Sequence, residues 1–268
     1  MKKLPRSLLF VPGNRPERFE KAAQSGAHAI IIDLEDAVAP SEKHKAREHI
    51  ANWLATEPAT MVRINGAGTP WFEEDIELLQ SHPEAMVMLP KAEVDSLTAT
   101  VKALPDRPVI ALVESVKGFM QLRELAAIKE VVRIAFGSID FGVESGISDT
   151  ADAMTTIRTQ IVLESCFAEL EPPIDGVSVN FSDEAIMLDD AQRARQLGFG
   201  GKLCIHPRQV AQVNAAFSPT AEQLDWAKRV MTAIEDSEGG VTTVDGKMVD
   251  KPVVEQARRI IEDAEISS

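Results

Sequence analysis

Apolar residues in this chain gather in short, nearly continuous runs: Ser7–Val11, Ala29–Leu34, Met61–Ile64, Ala85–Leu89, Val109–Val113, Val131–Phe136, Gly176–Phe181 and Gly200–Ile205. Short runs rich in Val and Ile are the pattern of strands buried on both faces, as in a parallel sheet covered by helices. Segments with helical spacing lie between them: Pro16–Ala23, Ser41–Leu54, Trp71–Leu79, Val94–Leu104, Gly118–Ile128 and Ser182–Leu197. Ser41 and Ser182 stand where N-caps belong, and acids follow Ser182 in the first turn. Strands alternating with helices eight times predict an α/β fold, a closed (β/α)8 TIM barrel. An open doubly wound sheet is the rival, but it usually has fewer strands, and no Gly-x-Gly-x-x-Gly follows the first run.

After the eighth unit the pattern changes. Thr220–Ser237 reads as one long helix, Gly239–Asp250 as a hairpin turning at Asp245-Gly246, and Pro252–Ala264 as another helix. The expected organisation is a catalytic barrel over residues 1–218 and a small helical and hairpin lid over 219–268. That lid is too small to fold alone and should pack on its own barrel or on a neighbouring subunit.

Composition narrows the classes. The formal net charge is −14, from 28 basic and 42 acidic residues, and such a field disfavours nucleic acid and anionic membranes. A local cluster of Arg and Lys can still hold a small anion. No apolar run approaches the roughly 20 residues of a membrane span. The run at Leu8–Val11 is cut short by Pro12-Gly13, too early for a signal peptide. Two cysteines, Cys166 and Cys204, supply no disulfide framework or zinc site, so a cytoplasmic location is the default expectation.

Charge along the chain is more informative than its total. The apolar runs lead in turn into Asn14-Arg15, Asp33-Leu34-Glu35-Asp36, Arg63-Ile64-Asn65, Lys91, Glu114, Asp140, Asn180 with Asp183, and His206. Helix caps account for two or three of these, not for all eight, and in a parallel barrel the segments after the strands build the active site. Glu114 and Asp140 follow consecutive strands, so their carboxylates can converge. Two carboxylates completed by water and substrate oxygens are a usual setting for Mg²⁺, and no His/Cys cluster suits zinc. Alternatively, Glu114 belongs to a buried ion network with Arg63 or Lys91. Asp33 and Glu35 share one face of a strand, and Glu35 is expected in the catalytic set as a carboxylate that orients its neighbours. Asp36 suits a helix cap better than Asp33 does. Lys91 is expected to touch substrate beside Arg63. His206 reads as a structural hydrogen-bonding residue, His28, His44, His49 and His82 as solvated, and Trp53 and Trp71 as packing anchors.

Several ordered motifs then add up: Arg6-Ser-Leu-Leu-Phe-Val-Pro-Gly-Asn-Arg-Pro-Glu-Arg-Phe, Ile32-Asp-Leu-Glu-Asp-Ala-Val, Val62-Arg-Ile-Asn, Leu89-Pro-Lys-Ala-Glu, Ala111-Leu-Val-Glu-Ser and Phe136-Gly-Ser-Ile-Asp. Together with the tail Asp245-Gly-Lys-Met-Val-Asp-Lys-Pro, they resemble the citrate lyase beta-subunit-like family, which belongs with the malyl-CoA and citramalyl-CoA lyases. The resemblance implies a barrel with a mobile C-terminal lid, assembled as trimers or hexamers in which the lid crosses to a neighbouring subunit. It also implies Glu114 and Asp140 as Mg²⁺ ligands, with Mn²⁺ able to substitute. Arg63 would meet the 2-oxo acid and the thioester carbonyl, Phe10, Arg15 and Lys21 would hold CoA, and Asp250 would be the lid acid. The implied reaction makes or breaks the bond between a 2-oxo acid and an acetyl thioester. Two departures, Asn180 where the family often has Asp and Phe-Gly-Val-Glu-Ser-Gly after Asp140, bear on substrate identity. Rival readings are a 2-oxo acid aldolase using no thioester, a citrate lyase beta subunit fed by an acyl carrier protein, and a non-catalytic acid-binding barrel.

Overall fold

The structure is a computed structural model that describes residues 4–150, 152–236 and 242–265. Eight parallel strands close a barrel in sequence order: β1 (Ser7–Pro12), β2 (Ala29–Asp33), β3 (Met61–Arg63), β4 (Met86–Leu89), β5 (Val109–Val113), β6 (Val131–Phe136), β7 (Ile174–Asp175) and β8 (Gly201–Cys204). The α-helices are α1 (Phe19–Ala23), α2 (Lys43–Leu54), α3 (Phe72–Gln80), α4 (Val94–Ala103), α5 (Val116–Met120), α6 (Leu122–Ala126), α7 (Ser138–Ser145), α8 (Thr155–Phe167), α9 (Glu184–Leu197), α10 (Arg208–Phe217), α11 (Ala221–Asp236) and α12 (Lys251–Glu265). None is long and apolar enough to cross a membrane. The TIM barrel expected from the alternation of runs is the observed fold.

Continuous hydrophobicity arises because each strand faces both the barrel interior and the helical layer. Leu8, Ile31, Met61, Met88, Ile110, Ala135, Ile174 and Leu203 pack into one buried cluster, so alternating strand positions fill the interior as layered side chains do in such barrels.

Two expectations need correction. The seventh strand is Ile174–Asp175, not Gly176–Phe181. Asp175 is buried inside the strand because its charge is met by Arg158 and Lys202, and Asn180 and Asp183 do not end that strand. Asn180 instead accepts the backbone N–H groups of Ser182 and Asp183. Nor are Ser41 and Ser182 the N-caps. Residues 40–42 form a 3₁₀ turn ahead of α2 without a side-chain cap. Asp183 caps α9, accepting from the N–H groups of Ala185 and Ile186.

The chain divides into two compact units, with the division between Val213 and Asn214 inside α10. The second unit holds α11, α12 and an antiparallel hairpin of β9 (Thr242–Val244) and β10 (Lys247–Val249). Asp245 and Gly246 turn it with φ of 52° and 75°, the left-handed pair that a tight hairpin uses. Ala227, Val230, Val249, Val254 and Ala257 make its small core. Ser237 and residues 239–241 of the expected helix and turn lie outside the described residues.

Candidate active site

Strand register decides which charged groups meet. Asp33 ends β2 directly beside Arg63 at the end of β3, so both side chains point the same way. Arg63 donates from Nε and Nη2 to the two Asp33 oxygens at 2.7 and 2.6 Å, a bidentate pair. Its Nη1 lies 2.9 Å from Glu35 Oε2, close enough for an ion pair but outside hydrogen-bonding geometry, so this buried oxygen keeps no hydrogen-bond partner. The guanidinium stacks 4.8 Å over the Phe10 ring. Burial opposes the Arg63 charge, but hydrogen bonding and charge from Asp33, then Glu35 and Glu114, outweigh it and hold its pKa above the ordinary value.

Glu35 is buried and reaches back to Lys91, whose Nζ donates to Oε1 at 2.6 Å. Burial pushes the Glu35 carboxyl up, and Arg63 and Lys91 oppose the rise. The loop carrying Glu35 is pinned from below by Lys43, whose buried ammonium donates to the carbonyls of Leu34 and Glu35 and to Asn65 Oδ1 at 2.7, 2.9 and 2.7 Å. Lys43 gave no signal in the sequence beyond one more charge on a helix.

Glu114 follows β5 and is 4% exposed. Its Oε1 accepts the Lys91 backbone N–H at 2.8 Å, while the Lys91 ammonium stands 3.9 Å away. Lys91 adopts a positive φ of 46°, a conformation unfavourable for a residue with a Cβ. That turn aims both its amide and its ammonium at the carboxylates. Burial first, then the neighbouring Glu35 charge, push Glu114 up to about 7, against the pull of Lys91 and Arg63.

Gly137 follows β6 and stands against this carboxylate. A Cβ there would sit 2.4 Å from Glu114 Cβ and 2.7 Å from Oε2, so only glycine admits the approach. Three residues on, Asp140 is exposed in the first turn of α7. Glu114, Asp140, Arg63 and Phe10 line one cavity of about 470 Å³, together with Asp33 and Asp36. Asp36 is exposed here and caps no helix.

A divalent cation fits this donor set. Among the described residues no three His, Cys, Asp or Glu side chains cluster as a complete cage. Two carboxylates and room for water and substrate oxygens suit Mg²⁺, which keeps much of its hydration. Glu114 and Asp140 would hold it.

The other expected residues lie elsewhere. Glu35 and Lys91 are bonded to each other and are not among the residues that line the cavity, and the Lys91 side chain is half-exposed. Arg15 and Lys21 are exposed, Arg15 just past β1 and Lys21 on α1, and neither lines it. Asp250 belongs to the second unit, is exposed, and accepts the Val253 backbone N–H at the start of α12. His206 stacks on Phe181 with ring centroids 5.0 Å apart. Trp53 packs edge-on to Phe19 and Trp71 lies under the Lys43 ammonium.

The sequence reading missed a second buried cluster. Asp175 accepts from Arg158 Nε at 2.7 Å and Lys202 Nζ at 2.8 Å. Arg158 also bonds Asp149 at 3.0 Å, which accepts from Ser138 Oγ at 2.7 Å. Ser138 opens α7, so the chain of bonds ends on the turn that carries Asp140. The one available signal was Lys202 inside an apolar run.

A closed parallel barrel with acidic groups and an arginine gathered at the carboxyl ends of its strands is the architecture of a TIM-barrel enzyme. Residues 6–207 match the HpcH/HpaI aldolase/citrate lyase family, and the chain belongs to that family, as an enzyme of its lyase class. A citrate lyase subunit beta-like protein from Mycobacterium tuberculosis is 38% identical, over 94% of this chain and 93% of that protein. A (3S)-malyl-CoA thioesterase from Cereibacter sphaeroides is 33% identical, over 97% and 94%. The crystal structure of CitE from Mycobacterium tuberculosis in complex with magnesium, acetoacetate and coenzyme A superposes with a TM-score of 0.85 at 34% identity, covering 99% of this chain and 100% of that one.

Proposed function

We propose that the chain is a Mg²⁺-dependent carbon–carbon lyase that cleaves a 3-hydroxyacyl-CoA thioester of the citramalyl, malyl or citryl type into acetyl-CoA and a 2-oxo acid, or runs the reverse condensation. The observation that carries this reading is the convergence of Glu114, Asp140 and Arg63 on one cavity. When bound, Mg²⁺ supplies Lewis acidity toward the keto oxygen and neutralises the oxo-acid carboxylate.

The protein groups do the rest. Arg63, fixed by Asp33 and stacked on Phe10, presents a held guanidinium to the thioester oxygen, where negative charge grows as the bond breaks and the enolate departs. Asp33 holds that cation by a bidentate hydrogen-bonded pair, and Glu35 faces its third nitrogen. In cleavage the 3-hydroxyl loses its proton to solvent as its carbon becomes the keto carbon, and Asp250 delivers one proton to the enolate carbon; in condensation Asp250 removes that proton and the new hydroxyl takes one from solvent. The second unit is the lid that brings Asp250 to a site, its own or that of a neighbouring copy in a homo-oligomer. Arg15 and Lys21, exposed and beyond the cavity, suit the phosphates of CoA.

The test is the purified full-length chain incubated with citramalyl-, malyl- and citryl-CoA, with and without Mg²⁺. Mg²⁺-dependent release of acetyl-CoA and a 2-oxo acid in equal amounts supports the reading. Release of free CoA with the hydroxy acid intact makes the chain a thioesterase, and no turnover of free CoA thioesters points to a carrier-protein substrate. Asp250→Asn sharpens the lid assignment. Asn caps a helix as well as Asp does, so the fold survives, and kcat is expected to fall roughly 10²- to 10⁴-fold. Unchanged turnover would remove Asp250 from the mechanism.

A further inference from the structure

The cavity has two unlike walls. One carries Asp33, Asp36, Glu114 and Asp140, and among the described residues Arg63 is the one cation lining it. That guanidinium is already committed to Asp33 and Glu35. With the neighbouring Lys91–Glu35 pair counted, five carboxylates face two cations. A divalent ion reduces the surplus of three negative charges to one, and the carboxylate of any bound 2-oxo acid adds to it again.

The opposite wall is hydrocarbon. Leu112 and Leu203, 2% and 3% exposed, form its floor, with half-buried Val177 packed against the same cluster. Val179 and Ile205, 67% and 45% exposed, continue it toward the rim. The backbone beside them is engaged too, since Gln209 donates to the Ser178 and Asn180 carbonyls. Among the described residues that line the cavity, a substituent pressed on this surface meets no charged donor.

We propose that the site takes a 2-oxo acid whose substituent is a small apolar group, as the methyl of pyruvate, and discriminates against one bearing a second carboxylate, as oxaloacetate, with Val177 and Leu203 as the selecting side chains. This rests on the lyase reading above. A methyl group gains from leaving water against Leu203 and Val177. A second carboxylate on the same wall would lose its hydration, find no cation and stand beside a site already negative. The citramalyl thioester is then the preferred substrate in cleavage and the citryl thioester a poor one.

Condensation assays decide it. The full-length chain, Mg²⁺ and acetyl-CoA are given pyruvate or oxaloacetate, and the thioester product is followed by mass spectrometry. Pyruvate is expected to win in kcat/KM by on the order of 10²-fold or more. Val177→Arg places a cation on the apolar wall, and Val179→Arg does so from an exposed position that folding tolerates. Either should narrow the ratio at least tenfold, by raising turnover of oxaloacetate. Equal or faster use of oxaloacetate by the wild-type chain overturns the proposal and leaves the lyase reading standing, and so do Arg variants that alter both acids alike. If neither acid condenses, and neither raises the melting temperature in Mg²⁺, the lyase reading falls and this inference with it.

Discussion

Two buried charge clusters sit on opposite sides of one barrel, and they differ in balance. On the β6–β8 side, Asp149, Asp175 and Asp190 meet Arg158, Lys202 and Arg193, acid for base. Burial would raise Asp175, but Lys202 and Arg158 more than offset it and leave the carboxyl below its ordinary value. On the β2–β5 side, Asp33, Glu35 and Glu114 share Arg63 and Lys91, and Asp140 and Asp36 add two more acids facing the cavity. There burial and like charge leave Glu114 at about 7. A cluster that closes on itself holds strands together. One left short of positive charge is built to receive it from outside, and this is how perturbed carboxyls mark a functional site.

Breaking the closed cluster should have the largest effect. Asp175→Asn leaves Arg158 and Lys202 buried without their shared partner and is expected to destabilise the fold by about 3–5 kcal/mol, seen as a lowered denaturation midpoint. Loss under 1 kcal/mol would show that the cluster does not anchor β7 and β8.

The open cluster should answer to pH in the opposite sense. Glu114 ordinarily titrates near 4.5 and here near 7, so between those values the folded chain keeps a proton that the unfolded chain has lost. Stability without divalent cation therefore falls as pH rises through that window, by on the order of 3 kcal/mol. Asp175, held low, contributes the reverse, stability lost only as pH falls below the usual aspartate range. Melting curves from pH 5 to 7.5 in a chelator should slope downward for the wild type and flatten in Glu114→Gln. A flat wild-type profile would refute the upward shift that burial, then the Glu35 charge, gives Glu114.

Gly137→Ala probes how closely the turn that carries Asp140 approaches Glu114, with a smaller expected cost, about 1–3 kcal/mol for overpacking. The added methyl meets the Glu114 side chain, so cation affinity should drop at least tenfold. Unchanged affinity would show that Glu114 shifts freely.

Much of the barrel was legible because its signal is periodic and cumulative. Doubly buried strands read as continuous apolar runs, and the charged residues after β2 to β6 marked the rim. β7 was not legible. Its two residues carry one apolar side chain, and Asp175 is buried through partners far along the chain, Arg158 on α8 and Lys202 on β8. The proposed ligand pair was visible as Glu114 and Asp140 after consecutive strands. Its supports were not. The backbone twist at Lys91, the pinning of the β2 loop by Lys43, and the run of bonds from Asp175 through Arg158 and Asp149 to Ser138 depend on three-dimensional neighbours that no local spacing encodes. Asp250 sits at the start of α12, where capping alone already explains an aspartate.

The central claim is that Glu114 and Asp140 together hold one divalent cation. Titrating the wild-type chain, Glu114→Gln and Asp140→Asn with Mn²⁺, and counting free Mn²⁺ by electron paramagnetic resonance, tests it directly. One site per chain in the wild type, competed by Mg²⁺ and lost in each folded variant, is the predicted result. Retention of that site at unchanged affinity in both variants would contradict it.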